Sequence, residues 1–212
     1  MKTADLVTLL ADDTGPTRAR AYAPWLLAAA LAGAVLSVAV LAAWLGFRPL
    51  TPAMHSPPFW MKAGYTILLA AAALIGTVSL ARPGGRLGAA VLLALVTIAW
   101  LAMMAGHETM RAAPAAMPKL WLGNSWNACP LRILALATPV FVVVLWVMRQ
   151  SAPTRPALAG AAAGLFAGAV GATVYGLYCN ETTAAFVVAW YSLGMAACAA
   201  IGAAVGARML RW

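Results

Sequence analysis

The stretch 157-ALAGAAAGLFAGAVGATVYGL-177 decides the fold, because it is apolar throughout and carries no Asp, Glu, Lys or Arg. A helix needs about 20 such residues to cross the hydrocarbon core of a bilayer. Within it, Gly160, Gly164 and Gly168 recur at intervals of four, so they share one face of a helix. Small residues on one face let two helix backbones approach closely. The stretch therefore predicts a membrane-spanning helix that packs tightly on a neighbour.

The predicted neighbour is the last apolar run of the chain, 184–206. It repeats small residues with the same spacing, at Gly194, Cys198, Gly202 and Gly206. The turn between the two runs is short, which favours a tight hairpin with the two small-residue faces in contact. Cys198 belongs to this face, so we interpret it as a small packing residue.

The rest of the chain follows the same pattern. Hydrophobic residues make up 64% of the 212 residues and charged residues only 9%, which is typical of membrane proteins and excludes an ordinary soluble domain. Six stretches are long enough to span a bilayer, and none has a charged residue in its middle. We predict an all-α membrane protein, a bundle of six transmembrane helices with spans at about 24–46, 61–81, 86–106, 131–149, 157–177 and 184–206.

Basic residues predict the orientation of these helices. Although the formal net charge is +9, Lys and Arg occur singly between apolar runs, so we expect no direct nucleic-acid binding. Cytoplasmic loops are rich in Lys and Arg, and the turn 82–86 is a strong inside signal. With both termini cytoplasmic, the inner segments hold most of the 14 basic residues, namely Lys2, Arg18, Arg20, Arg82, Arg86, Arg149, Arg155, Arg208 and Arg211. The connections 47–60, 107–130 and 178–183 then lie outside.

This orientation places Cys129 and Cys179 on the same outer face. Two thiols there can act as a redox switch or as a permanent disulfide staple, and the residues alone favour neither. A third interpretation is a metal clip, in which His107 joins the two cysteines as a ligand. In that interpretation, Cys129, Cys179 and His107 are candidate metal ligands.

The two thiols are predicted to differ in reactivity. Cys129 precedes Pro130, a favoured first residue of a helix, and Arg132 follows it closely. The positive helix end and the arginine are both expected to lower the pKa of the Cys129 thiol. Cys179 follows the end of a helix, where a thiolate is disfavoured. We therefore expect Cys129 to be the more reactive thiol and Cys179 the resolving one.

The N-terminal segment 1–23 predicts a short cytoplasmic amphipathic helix. Thr3 can cap it, and Asp5 lies in its first turn. One face is apolar and is formed by Leu6, Leu9 and Leu10. The helix either lies on the membrane surface or docks into a partner's groove. Its polar face is largely acidic, and Asp13 is one of the acidic residues. Because helices that bind membrane surfaces usually have a basic polar face, docking is favoured.

Taken together, the tail residues Lys2, Thr3, Asp5, Leu6, Leu9 and Asp12, the six spans, Cys129-Pro130, and Cys179 with Glu181 resemble the NrsF-type bacterial membrane anti-sigma factors. The resemblance implies a multi-pass protein of the bacterial inner membrane that binds an extracytoplasmic-function (ECF) sigma factor. It divides the chain into a docking tail, 1–23, and a six-helix sensor domain, 24–212. It assigns partner binding to Thr3, Asp5, Leu6 and Leu9, to which we add Leu10 and Asp13 from the helix pattern.

The resemblance also implies that Cys129 and Cys179 sense heavy-metal or oxidative stress and thereby release the sigma factor. It implies no enzyme activity and no cofactor.

Two other classes of membrane protein compete with the anti-sigma factor interpretation. A quinone-coupled membrane thiol oxidoreductase needs vicinal cysteine pairs, and the chain has no Cys-x-x-Cys motif. A small transporter usually carries ionisable residues within its spans, and these spans have none in their middle. The oligomeric state is left open.

Overall fold

The computed structural model of the chain describes residues 22–82, 84–151 and 153–210. All regular structure in these ranges is helical, and they contain no strand. The predicted docking residues lie outside the described residues, namely Thr3, Asp5, Leu6, Leu9, Leu10 and Asp13. The docking role of the tail therefore stays a prediction.

Six helices in the described ranges are long and apolar enough to cross a membrane, which confirms the predicted number. The C-terminal one spans Ala184–Met209 and consists of two α-helical parts joined by the π-helical turn Val187–Tyr191. We call this continuous element the last helix. The helices are α1 (Tyr22–Trp44), α2 (Leu50–Met54), α3 (Pro57–Leu80), α4 (Gly88–Arg111), α5 (Met117–Leu122), α6 (Cys129–Met148), α7 (Pro156–Tyr175), α8 (Ala184–Phe186) and α9 (Ser192–Met209).

Helices α3 and α4 extend furthest beyond their predicted ends, α3 at its start and α4 at its end. Helix α3 begins at Pro57 instead of residue 61, because proline at the first helical positions needs no hydrogen bond for its missing N–H. Lys62 consequently lies in the second turn of α3. Helix α4 continues past residue 106 to Arg111, so that Glu108 lies within its last turn. The hydropathy pattern ended this predicted span before the polar residues 107–109, whereas the helix itself continues into the connection.

Helix α7 lies at the centre of the bundle and packs against α3, α6 and α9. Its contact with α9 is the closest, because a Cβ atom built on Gly160 would collide with the main-chain carbonyl of Gly202. Gly164 and Gly168 lie directly against Cys198. The predicted glycine-faced hairpin is confirmed, and Cys198 is a buried residue of that contact.

Helix α1 packs on α6 and thereby joins the N-terminal end of the chain to the centre of the bundle. A Cβ atom on Gly33 would lie 2.6 Å from Cα of Val140, so the two backbones touch. One turn further along the contact, the buried Ser37 hydroxyl donates to the carbonyl of Leu136 over 2.5 Å. Helix α1 follows the predicted tail directly in sequence, and α6 begins at Cys129.

Candidate thiol site at one end of the bundle

Cys129 and Cys179 lie in the same buried cluster at one end of the bundle, which we call the cysteine end. Their exposed fractions are 0% and 2%, and both are free thiols. The same cluster contains Tyr175 and Tyr191. The structure thus brings together the two cysteines that the sequence placed on one face.

Local turns fix the position of each cysteine. The main-chain N–H of Cys129 donates to the carbonyl of Ser125 over 2.9 Å, which opens the first turn of α6. The main-chain N–H of Cys179 donates to the carbonyl of Tyr175 over 2.9 Å, which closes the last turn of α7. One thiol therefore marks a helix start and the other a helix end, as the sequence predicted.

Three connections meet at the cysteine end and hold one another through hydrogen bonds. The N–H of Arg48 donates to the carbonyl of Leu177 over 3.3 Å, which joins the first connection to the end of α7. The hydroxyl of Thr183 donates to the carbonyl of Leu120 over 2.9 Å, which joins the last connection to α5. These are the three connections that the charge pattern assigned to one side of the membrane.

Burial argues against the prediction that Cys129 is the more reactive of the two thiols. Its side chain has no exposed surface, so neither water nor a water-soluble reagent reaches it in this conformation. The neighbouring guanidinium, that of Arg132, lies 5.3 Å above the ring of Tyr178. Burial in an apolar cluster outweighs the helix-end field on which the sequence argument relied.

A buried lysine fastens the segment that carries Cys179. Lys62 is only 2% exposed, and its Nζ donates to the carbonyls of Cys179 over 2.9 Å and Glu181 over 2.7 Å. On the other side, Oε1 of Glu181 accepts from the N–H of Asn124 over 2.7 Å and from the hydroxyl of Ser125 over 3.1 Å. Residues 179–181, which we call the cysteine segment, are therefore tied to α3 and to the turn before α6.

Tyrosine rings belong to the same buried cluster as the two thiols or pack against it. The ring centroids of Tyr175 and Tyr191 are 5.7 Å apart, and those of Tyr175 and Tyr178 are 6.0 Å apart. Tyr191 lies in the π-helical turn of the last helix and is fully buried. π-helical turns inside α-helices are rare and occur often at functional sites. The two thiols and these tyrosines therefore lie in one largely buried region of the cysteine end.

Comparisons with known proteins show the family of the chain. The family described as NrsF, "Negative regulator of sigma F", matches residues 10–212. The chain belongs to the NrsF family. It is 40% identical over its whole length to the "Probable anti-sigma-F factor NrsF" of Azospira oryzae and to the "Anti-sigma-F factor NrsF" of Caulobacter vibrioides, and it covers each completely. No solved structure matches the chain.

The structure does not bring His107 to the cysteine pair of this NrsF-family chain. His107 is exposed on α4. Within the described ranges there is no group of three or more His, Cys, Asp or Glu side chains that could hold a metal ion. The adjacent Glu108 instead accepts from the N–H groups of Ala184 over 2.7 Å and Ala185 over 3.2 Å, so it caps the last helix. The three-ligand metal clip is therefore wrong for this conformation.

Sequence reasoning about this NrsF-family chain missed Lys62 as a site residue. It counted Lys62 as an outer charge near the edge of a span. A signal was present, since Lys62 falls about one turn inside an unbroken apolar run that begins with Pro57. A lysine at that depth must find carbonyl or carboxylate partners.

Proposed function

We propose that this chain is an anti-sigma factor of the bacterial inner membrane that sequesters an ECF sigma factor and releases it under heavy-metal or oxidative stress. The observation that carries the proposal is the 40% identity, over the full length, to two proteins named as anti-sigma-F factors. Six helices suited to a bilayer support the membrane location. The role is regulatory, with no catalytic step and no cofactor.

The sigma factor is held by the cytoplasmic tail 1–23. Leu6, Leu9 and Leu10 supply the apolar anchors, because a few buried side chains carry most of the energy of such an interface. Thr3 caps the docking helix. The carboxylates of Asp5 and Asp13 lie at the rim, where charges steer association more than they stabilise the complex.

Cys129 and Cys179 form the trigger on the periplasmic side. Under oxidative stress, a peroxide accepts two electrons from the thiols, a disulfide forms, and the two thiol protons leave with the reduced oxygen. A thiophilic metal ion can instead displace the two protons and bridge the sulfurs. Support comes from the burial of both thiols in one cluster, with Cys179 on the segment that Lys62 holds.

Movement at the thiols reaches the tail through α6 and α1. Cys129 is the first residue of α6, so a new bond at its sulfur pulls on the helix itself. Helix α6 touches α1 at Gly33 and Ser37, and α1 follows the tail directly. Closely packed helices shift as rigid bodies, which makes a displacement of α1 the simplest signal that could release a docked partner.

The test is a promoter reporter for the sigma factor in cells that carry tail variants. We expect the Leu6→Ala, Leu9→Ala double variant to turn the reporter on without stress, because each lost aliphatic anchor weakens binding by roughly 1–3 kcal/mol. Thr8→Ala, on the opposite face of the predicted helix, is the matched control and should keep the reporter off. A silent reporter in the double variant, with normal protein level in the membrane, would rule out the tail as the inhibitory element.

A further inference from the structure

A cavity of about 420 Å³ opens at the cysteine end beside Cys179. Its wall is unusually rich in hydrogen-bond donors for a chain this apolar. Two arginines from different elements contribute to it, Arg48 from the connection after α1 and Arg132 from the first turn of α6. Asn124, Ser125 and Tyr175 supply further polar groups.

Arg48 has donor groups that nothing in the described part of the chain satisfies. Its Nε and Nη2 atoms are buried and make no hydrogen bond there. The guanidinium lies 5.2 Å above the ring of Phe59, which fixes its plane on one side. A buried guanidinium with free N–H groups presents the fork geometry that binds the oxygens of an anion.

The other polar groups that line the cavity also favour a negatively charged ligand. The Tyr175 hydroxyl is buried and makes no hydrogen bond within the described residues, so it is a further free donor. One carboxylate, that of Glu181, also lines the cavity, but its Oε1 already accepts from Asn124 and Ser125. Lys62 does not line the cavity, but its ammonium group donates to the Glu181 carbonyl and places a positive charge near that carboxylate.

We propose that this cavity binds a phosphate-type oxyanion between Arg48 and Arg132. The chemistry suits either free inorganic phosphate or the phosphodiester head group of an anionic lipid, since both present the same oxygens at the membrane surface. The bound anion would fasten the connection after α1 to the first turn of α6. This inference stands apart from sigma-factor binding and holds whether or not the cysteines act as a trigger.

The experiment uses the full chain purified in neutral detergent. In one arm, the melting temperature is measured with sodium phosphate and with sodium chloride at equal ionic strength. We expect saturating phosphate to raise the wild-type melting temperature by about 3–8 °C. In the other arm, native mass spectrometry counts phosphatidylglycerol molecules that remain bound after extraction from vesicles of that lipid mixed with phosphatidylcholine.

The decisive variant is Arg48→Gln, and Arg111→Gln is the matched control, because Arg111 is an exposed arginine outside the cavity. A phosphate shift that Arg48→Gln removes and Arg111→Gln keeps identifies the free oxyanion. A retained lipid that only Arg48→Gln loses identifies the head group. If Arg48→Gln fails to purify, Arg132→Gln replaces it. The proposal is overturned if the wild type responds to neither probe, or if both variants bind as the wild type does.

Discussion

Lys62 shows how one charged residue can organise a functional end of an apolar bundle. Its ammonium group is removed from water and is held by two carbonyls of the cysteine segment. A buried charge is tolerated only when hydrogen bonds replace its hydration. The position of Cys179 therefore depends on a residue in α3, far away in sequence.

We predict that Lys62→Met lowers the free energy of unfolding by roughly 2–4 kcal/mol, because two hydrogen bonds to a charged donor are lost. Measured on a Cys129→Ser, Cys198→Ser background, the maleimide labelling rate of Cys179 should also rise about tenfold, as the cysteine segment opens more often. Lys119→Met, at an exposed lysine of the same end, should change neither the melting temperature nor the labelling. Unchanged labelling in Lys62→Met would remove the lysine from control of the segment.

Burial of both thiols predicts their behaviour toward reagents. We expect a membrane-impermeant maleimide to label Cys129 in Cys179→Ser, and Cys179 in Cys129→Ser, at similar slow rates, since their exposed fractions are 0% and 2%. Lys119→Cys supplies an exposed reference in the same region and should react at least about tenfold faster. Each serine variant should also lose the response to thiol-reactive metals. Fast labelling at Cys129 alone would restore the helix-end argument that burial overrules here.

At the scale of the helices, the contact between α7 and α9 is made of glycine backbones. In a bilayer, helices gain little from hydrophobicity and associate through close contact of their backbones. A side chain at Gly160 would meet the carbonyl of Gly202, which belongs to a rigid helix and cannot rotate away. The small-residue face of α7 therefore does not tolerate even one added carbon atom at Gly160.

We predict that Gly160→Ala lowers the free energy of unfolding by about 1–3 kcal/mol, the usual effect of overpacking. Gly106→Ala in α4 is the matched control, since a Cβ atom there meets nothing within 4 Å. The control should be neutral or stabilising by up to about 1 kcal/mol, because alanine is a better helix former than glycine. Thermal unfolding in detergent measures both. Equal stability of the two variants would contradict the close approach of α7 and α9.

The helices also show what the sequence could and could not predict. Apolar length alone was enough to find six spans, and the spacing of Gly160, Gly164 and Gly168 was enough to find the closest contact. The long-range partners of Lys62 were not predictable. They are main-chain carbonyls, a group that every residue carries, so no side chain marks them in the sequence. The π-helical turn at Tyr191 was equally invisible, since its sequence reads as an ordinary apolar helix.

For the molecule as a whole, the structure sharpens the argument about orientation. At the cysteine end, Arg48 and Arg132 lie over aromatic rings and Lys62 is buried on carbonyls, so these three charges have local structural roles. Only Arg111 and Lys119 are exposed basic residues among the described ones there. The opposite end exposes more, namely Arg82, Arg86, Arg149, Arg155 and Arg208. The charge bias that sets orientation is thus stronger than the raw count suggests.

We therefore predict that the cysteine end faces the periplasm and that both chain termini face the cytoplasm. Alkaline phosphatase, which is active only outside the cytoplasm, should be inactive when fused after Trp212 and active when inserted near Ala116. A green fluorescent protein fusion at the same two sites should give the reverse pattern, which controls for expression. Arg82→Gln with Arg86→Gln weakens the inside signal of the first cytoplasmic turn and should raise the fraction of inverted molecules. Strong phosphatase activity at Trp212 in the unaltered chain would place the thiols in the cytoplasm, where they would no longer meet periplasmic stress, and would overturn the proposed trigger.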